Sequence, residues 1–120
     1  MEVVARDRCP PFITQDGSEI RELLAHRNSS LRNQSLAEAT LRAGQGTRAH
    51  YHPKAEEIYY ILKGSGRMRM SGGERLVGPG DAIAIPKGVP HQIFNEGPED
   101  LVFLCCCAPG YESADVVFTE

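Results

Sequence analysis

A chain of 120 residues, 41% hydrophobic and 24% charged, has enough apolar material for one buried core. Its formal net charge of −3, with both signs interspersed, gives no support for binding nucleic acid or an anionic membrane surface. No apolar run approaches the ~20 residues that span a bilayer, and MEVVARDRCPPF has no apolar signal region, which points to the cytoplasm.

A single domain is expected over 1–120, with an N-terminal extension at 1–32, a barrel core at 33–108 and a C-terminal strand or tail at 109–120. Pro10-Pro11 forces an extended opening. Asp16-Gly17-Ser18-Glu19 has the form of a capping box, with Asp16 as N-cap. Ile20, Leu23 and Leu24 follow at helical spacing, so one short helix is predicted over 17–27, closed by Asn28-Ser29-Ser30. From Asn33 onward the pattern changes to short strands between turn signals: QSLAEATL, EEIYYIL, RMRM, ERLV, AIAI, HQIF, LVFLCCC and DVVF. Gly72-Gly73 marks a hairpin turn. This spacing predicts an all-β sandwich or barrel.

Three of the four histidines fall in two turn-rich stretches, while His26 lies in neither. His50 and His52 are two apart, so an extended backbone aims both imidazoles at one face. Glu57 follows after a break at Pro53, and His91 follows the turn-rich GDAIAIPKGVP. Three imidazoles and a carboxylate form a mixed N/O set for a divalent transition ion: Fe, Mn, Ni, Co or Zn. Calcium and magnesium prefer shells of oxygen alone.

Gly44, His50, His52, Glu57 and Gly64 fit G-x5-H-x-H-x4-E-x6-G, and Gly80, Pro86, Gly88, His91 and Asn95 fit G-x5-P-x-G-x2-H-x3-N. In these two motifs the chain resembles the cupins, small antiparallel jelly-roll β-barrels. The resemblance implies one metal ion held inside the barrel by His50, His52, Glu57 and His91. Glu56 breaks the spacing to Gly64, which assigns the carboxylate to Glu57. Asn95 is expected to satisfy backbone groups at a strand end.

Arg48 shares strand parity with His50 and His52 and is a candidate for an anionic substrate group, or else an exposed arginine. Tyr59 shares parity with Glu57, as a proton donor or a wall. Met68 and Met70 are expected to face the interior. The cysteines, Cys9 and the run Cys105-Cys106-Cys107, form neither a disulfide framework nor a paired zinc motif, and are expected as reduced, buried filler.

Three functions follow. One is a metal-dependent enzyme of a small oxygenated metabolite, of dioxygenase or sugar-isomerase type. Another is a non-catalytic binding or sensing domain. The third is a metal that only stabilises the barrel. EEIYYIL and LVFLCCC are apolar on both faces, which predicts a cover: the chain termini or, as small cupins commonly pair, a second copy in a homodimer.

Overall fold

The computed structural model describes residues 1–119. The strands are β1 (Phe12–Ile13), β2 (Glu19–Leu24), β3 (Ser35–Leu41), β4 (His50–Tyr51), β5 (Glu56–Lys63), β6 (Gly66–Met70), β7 (Gly73–Val77), β8 (Ala82–Ile85), β9 (His91–Phe94), β10 (Leu101–Ala108) and β11 (Val117–Phe118). Two short 3₁₀ turns, Arg6–Arg8 and Ser113–Asp115, complete the elements. No helix among the described residues is long and apolar enough to cross a membrane.

The strands form two antiparallel sheets of a jelly roll, ordered β1-β2-β3-β10-β5-β8 and β11-β4-β9-β6-β7. Alternation decides which face each residue takes. Along β5, Glu57, Tyr59 and Ile61 are buried while Ile58, Tyr60 and Leu62 point out. Along β10, Leu101, Phe103 and Cys107 are buried. Tyr59, Ile61, Leu101 and Phe103 meet Met68 and Ile93 of the opposite sheet in one core, with Met70 half-buried against it. Gly64 ends β5 at φ +80°, and a Cβ there meets the Asp100 carbonyl oxygen at 2.4 Å. Only glycine fits, because both the backbone angle and the space exclude a side chain.

The helix predicted over 17–27 does not form. Glu19–Leu24 is strand β2, paired with β3 through Ile20 opposite Ala39. The Asp16 side chain bonds two residues ahead, accepting from the Ser18 N–H at 3.0 Å, and so closes an Asx turn where a helix cap was expected. Ile20 and Leu24 satisfy a strand period as well as a helical one, and the open edge of β3 selects the strand. The first 32 residues thereby lend β1 and β2 to the six-stranded sheet.

Candidate metal centre

Strands β4 and β9 bring two histidines together by register: His50 lies directly opposite His91, ring centroids 4.4 Å apart. His52 stands just past the end of β4, and its ring lies 5.2 Å from that of His50 and 5.6 Å from that of His91. All three are buried, and each offers a ligand atom within 4.8 Å of the others.

Backbone carbonyls fix which nitrogen faces inward. The Nδ1 of His50 contacts the Arg48 oxygen at 2.7 Å, that of His52 the Asp115 oxygen at 2.9 Å, and that of His91 the Val89 oxygen at 3.0 Å. A carbonyl only accepts, so each Nδ1 donates. In a neutral ring this leaves a bare Nε2 lone pair directed at the centre. Asp115 braces the same corner twice, since its carboxylate also accepts the backbone N–H groups of Lys54 at 2.9 Å and Ala55 at 3.0 Å.

Glu57 enters from the facing sheet. Its Oε1 lies 3.3 Å from His52 Nε2 and 3.5 Å from His91 Nε2. Its Oε2 accepts the Cys107 S–H at 3.2 Å. Glu57 Oε1 and His91 Nε2 are buried without a hydrogen-bond partner among the described residues. Lone pairs and a carboxylate oxygen converging without protons repel one another, and a shared cation removes the repulsion. These residues therefore fit a divalent transition ion by the chemistry of the donor set.

Without an ion, Glu57 and His52 instead favour an ion pair. Burial pushes the Glu57 carboxyl up, yet the neighbouring His52 and His91 outweigh it and hold the group down at about 2. Burial disfavours protonated His52, but the Glu57 carboxylate outweighs it and the His52 pKa rises. His50 is lowered by burial, only partly countered by the Arg48 carbonyl. Burial and then the Glu57 charge push the Cys107 thiol up, which keeps it a donor to Glu57.

A cavity opens beside these groups. It is walled by Phe12, Ile20, Ala37, Ala39, Phe103 and Val116, together with Tyr59, Tyr111, Cys105 and Cys107. The charged residues lining it are Asp16, Glu22 and Glu57, with no lysine or arginine among the described lining residues. Tyr59 is buried, its ring 4.7 Å from Phe103 and 5.9 Å from His91. Burial raises its pKa well above 10.0, so it stays a phenol. Arg48, by contrast, is exposed and lies with its guanidinium 3.8 Å over the Phe118 ring, outside the cavity wall.

Sequence reasoning grouped His50, His52, Glu57 and His91, weighed a thiol of Cys105 or Cys107 near the ion but preferred buried filler, and did not place Asp16 or Asp115 at the site. Cys107 steers Glu57, Asp115 props His52, and Asp16 places its Oδ2 3.9 Å from His50 Nε2. Strand parity had placed Cys107 on the Phe103 face, and the structure brings its thiol to the Glu57 carboxylate. Nothing in the local sequence marks Asp16 or Asp115, whose roles exist only in the assembled fold. Asn95 behaves as expected: its Nδ2 donates to the Leu41 and Glu99 carbonyls at 2.9 and 2.8 Å, and its Oδ1 accepts the Gly97 N–H at 3.0 Å.

The model of the cupin domain matches residues 37–107. The uncharacterized protein MJ1618 of Methanocaldococcus jannaschii is 45% identical over 114 residues, 95% of this chain and 91% of that protein. The tetracenomycin polyketide synthase protein TcmJ of Streptomyces glaucescens is 29% identical, covering 83% of this chain and 68% of that one. Among solved structures, the polyketide cyclase RemF of Streptomyces resistomycificus superposes with a TM-score of 0.85 at 25% identity, over 100% of this chain and 86% of that chain.

Proposed function

Because the chain belongs to the cupin domain family, we propose that it is a metal-dependent enzyme acting on a small, uncharged, oxygenated molecule, with the ion held by His50, His52, Glu57 and His91. One observation carries this reading: the Nε2 atoms and the unpartnered Glu57 Oε1 converge beside a cavity whose described lining is largely apolar and has no lysine or arginine. When bound, a divalent ion supplies a Lewis acid or a dioxygen site to a substrate oxygen. The protein's part is to hold the donors in place and to exclude water. Phe103 and Tyr59 form the dry wall, and the three carbonyls set the imidazole tautomers.

The absence of lysine and arginine from the described lining favours an uncharged substrate over a phosphorylated sugar. Similarity to proteins named a polyketide cyclase and a polyketide synthase protein supports an oxygen-rich carbon skeleton. Tyr59 is assigned to the wall and Arg48 is given no part.

The test is reconstitution of metal-free protein with Fe(II), Mn(II), Co(II), Ni(II) or Zn(II), followed by turnover of neutral hydroxy-carbonyl and phenolic compounds under air and under argon. Turnover that His91→Ala abolishes supports the enzyme. Oxygen consumption selects a dioxygenase, and turnover under argon selects an isomerase, lyase or cyclase. Binding without turnover in every arm contradicts the enzyme and leaves a binding protein.

The same reading includes a homodimer. The N-terminal segment covers the outer face over β2 and β3, where Arg6 pairs with Glu38 at 2.8 Å and Arg21 donates to the Cys9 carbonyl at 2.7 Å. The C-terminal strand β11 pairs with β4 in the other sheet. Ile58, Tyr60 and Leu62 stay 51%, 42% and 43% exposed on β5, beside Val102 and Leu104 of β10. A second copy on this face supplies the missing cover. The cysteines, all free, suit a reducing cytoplasm.

A further inference from the structure

We infer that Asp16 sets the substrate class of this site: its Oδ2 receives a hydroxyl or N–H donor of a metal-bound molecule and turns away carboxylates and phosphates. The inference rests on the metal-centre reading above. Asp16 lies on the turn between β1 and β2, outside the matched residues 37–107. Its two oxygens have different fates. Oδ1 accepts from Thr14 Oγ1 at 2.6 Å, from the Ser18 N–H at 3.0 Å and from Ser18 Oγ at 2.6 Å. Oδ2 takes part in no hydrogen bond among the described residues and sits 3.9 Å from His50 Nε2, at the wall of the cavity. The side chain is 17% exposed and Oδ2 is not among the fully buried atoms, so it can be reached from the cavity.

A molecule ligated to an ion held by His50 would lie near this oxygen, which is 3.9 Å from His50 Nε2. A hydroxyl or N–H there gains an acceptor already held in place by three hydrogen bonds to its twin. A second carboxylate or a phosphate meets a like charge instead. It finds no lysine or arginine in the described wall to offset that charge, since the other charged lining residues are Glu22 and Glu57.

The turn also dictates what an isosteric change does. Thr14 and Ser18 present donors to Oδ1, so Asp16→Asn must keep its amide oxygen there and turn Nδ2 toward the cavity. The acceptor becomes a donor and the charge is removed, with the turn preserved. Two probes then respond with opposite sign. Catechol chelates as a monoanion that loses one proton to solvent and keeps one hydroxyl donor, and oxalate chelates as a dianion with no donor. Both chelate divalent ions.

The experiment titrates each probe calorimetrically into wild-type protein, Asp16→Asn and Thr14→Val, all loaded with the same ion, after metal stoichiometry has been measured separately. Asp16→Asn should weaken catechol binding about tenfold or more and tighten oxalate binding severalfold, with metal stoichiometry unchanged. Thr14→Val removes one of the three bonds to Oδ1, together with the Thr14 contacts to Ser18, leaves Oδ2 in place, and should shift both probes together or neither. Parallel weakening of both probes in Asp16→Asn, or no change in either, overturns the inference while leaving the metal centre intact. Loss of metal from Asp16→Asn also overturns it, because Asp16 is then a ligand. If wild-type protein binds no metal, the metal-centre reading fails and this inference fails with it.

Discussion

Glu57 is the residue on which the site's electrostatics turn. It is buried, its Oε2 is held by Cys107, and its Oε1 faces His52 and His91. In metal-free protein its carboxyl is held at about 2, against an ordinary value of 4.5. A depressed folded value stabilises the fold above the unfolded value, and that stability is lost as pH falls from about 4.5 toward 2. Glu57→Gln removes this contribution. Urea unfolding of metal-free protein across that range should show a wild-type advantage that shrinks as pH falls. A gap independent of pH contradicts the assignment. The four residues proposed as ligands were legible in sequence because their spacing is tied to two turns and a strand register. Asp16 was not, because its approach to His50 depends on how the β1–β2 turn lies over the facing sheet.

At the scale of elements, the strands from β3 onward were readable because turn glycines punctuate them and alternation marks their faces. Glu19–Leu24 was not, since six residues fit either period and pairing with β3 decided between them. The shortness of β4 was also hidden, for His52 keeps its direction through the Asp115 carbonyl and not through a ladder. Asn95 belongs to this scale. It ties the ends of β3 and β9 to the loop before β10 with three side-chain hydrogen bonds. Asn95→Ala leaves the Leu41 carbonyl without this donor in the interior and should cost about 2–3 kcal/mol. Chemical denaturation measures that loss. Metal stoichiometry in the same variant should be unchanged, and its loss would instead make Asn95 part of the centre.

For the whole molecule, the outer face of β5 and β10 is the feature that the chain alone does not explain. Termini were one possible cover, and the N-terminal segment bonds to β2 and β3, while Ile58, Tyr60 and Leu62 of β5 stay exposed. Burying Ile58, Tyr60 and Leu62 against a second copy recovers apolar area at about 25 cal/mol per Å². Light scattering at micromolar concentration should give twice the 13.2 kDa chain mass. Tyr60→Glu should shift it toward the monomer without changing metal content. A wild-type monomer mass that persists as concentration rises rules out the pairing.

The central claim is that His50, His52, Glu57 and His91 hold one divalent ion. Elemental analysis of purified protein, followed by titration of metal-free protein, tests it most directly. Wild-type protein and Lys54→Ala should each bind one equivalent, with affinity falling as acid protonates the imidazoles. The double variant His50→Ala, His52→Ala should bind none, because two of the four ligands are gone. Full occupancy in the double variant, or no stoichiometric metal in the wild type, contradicts the account.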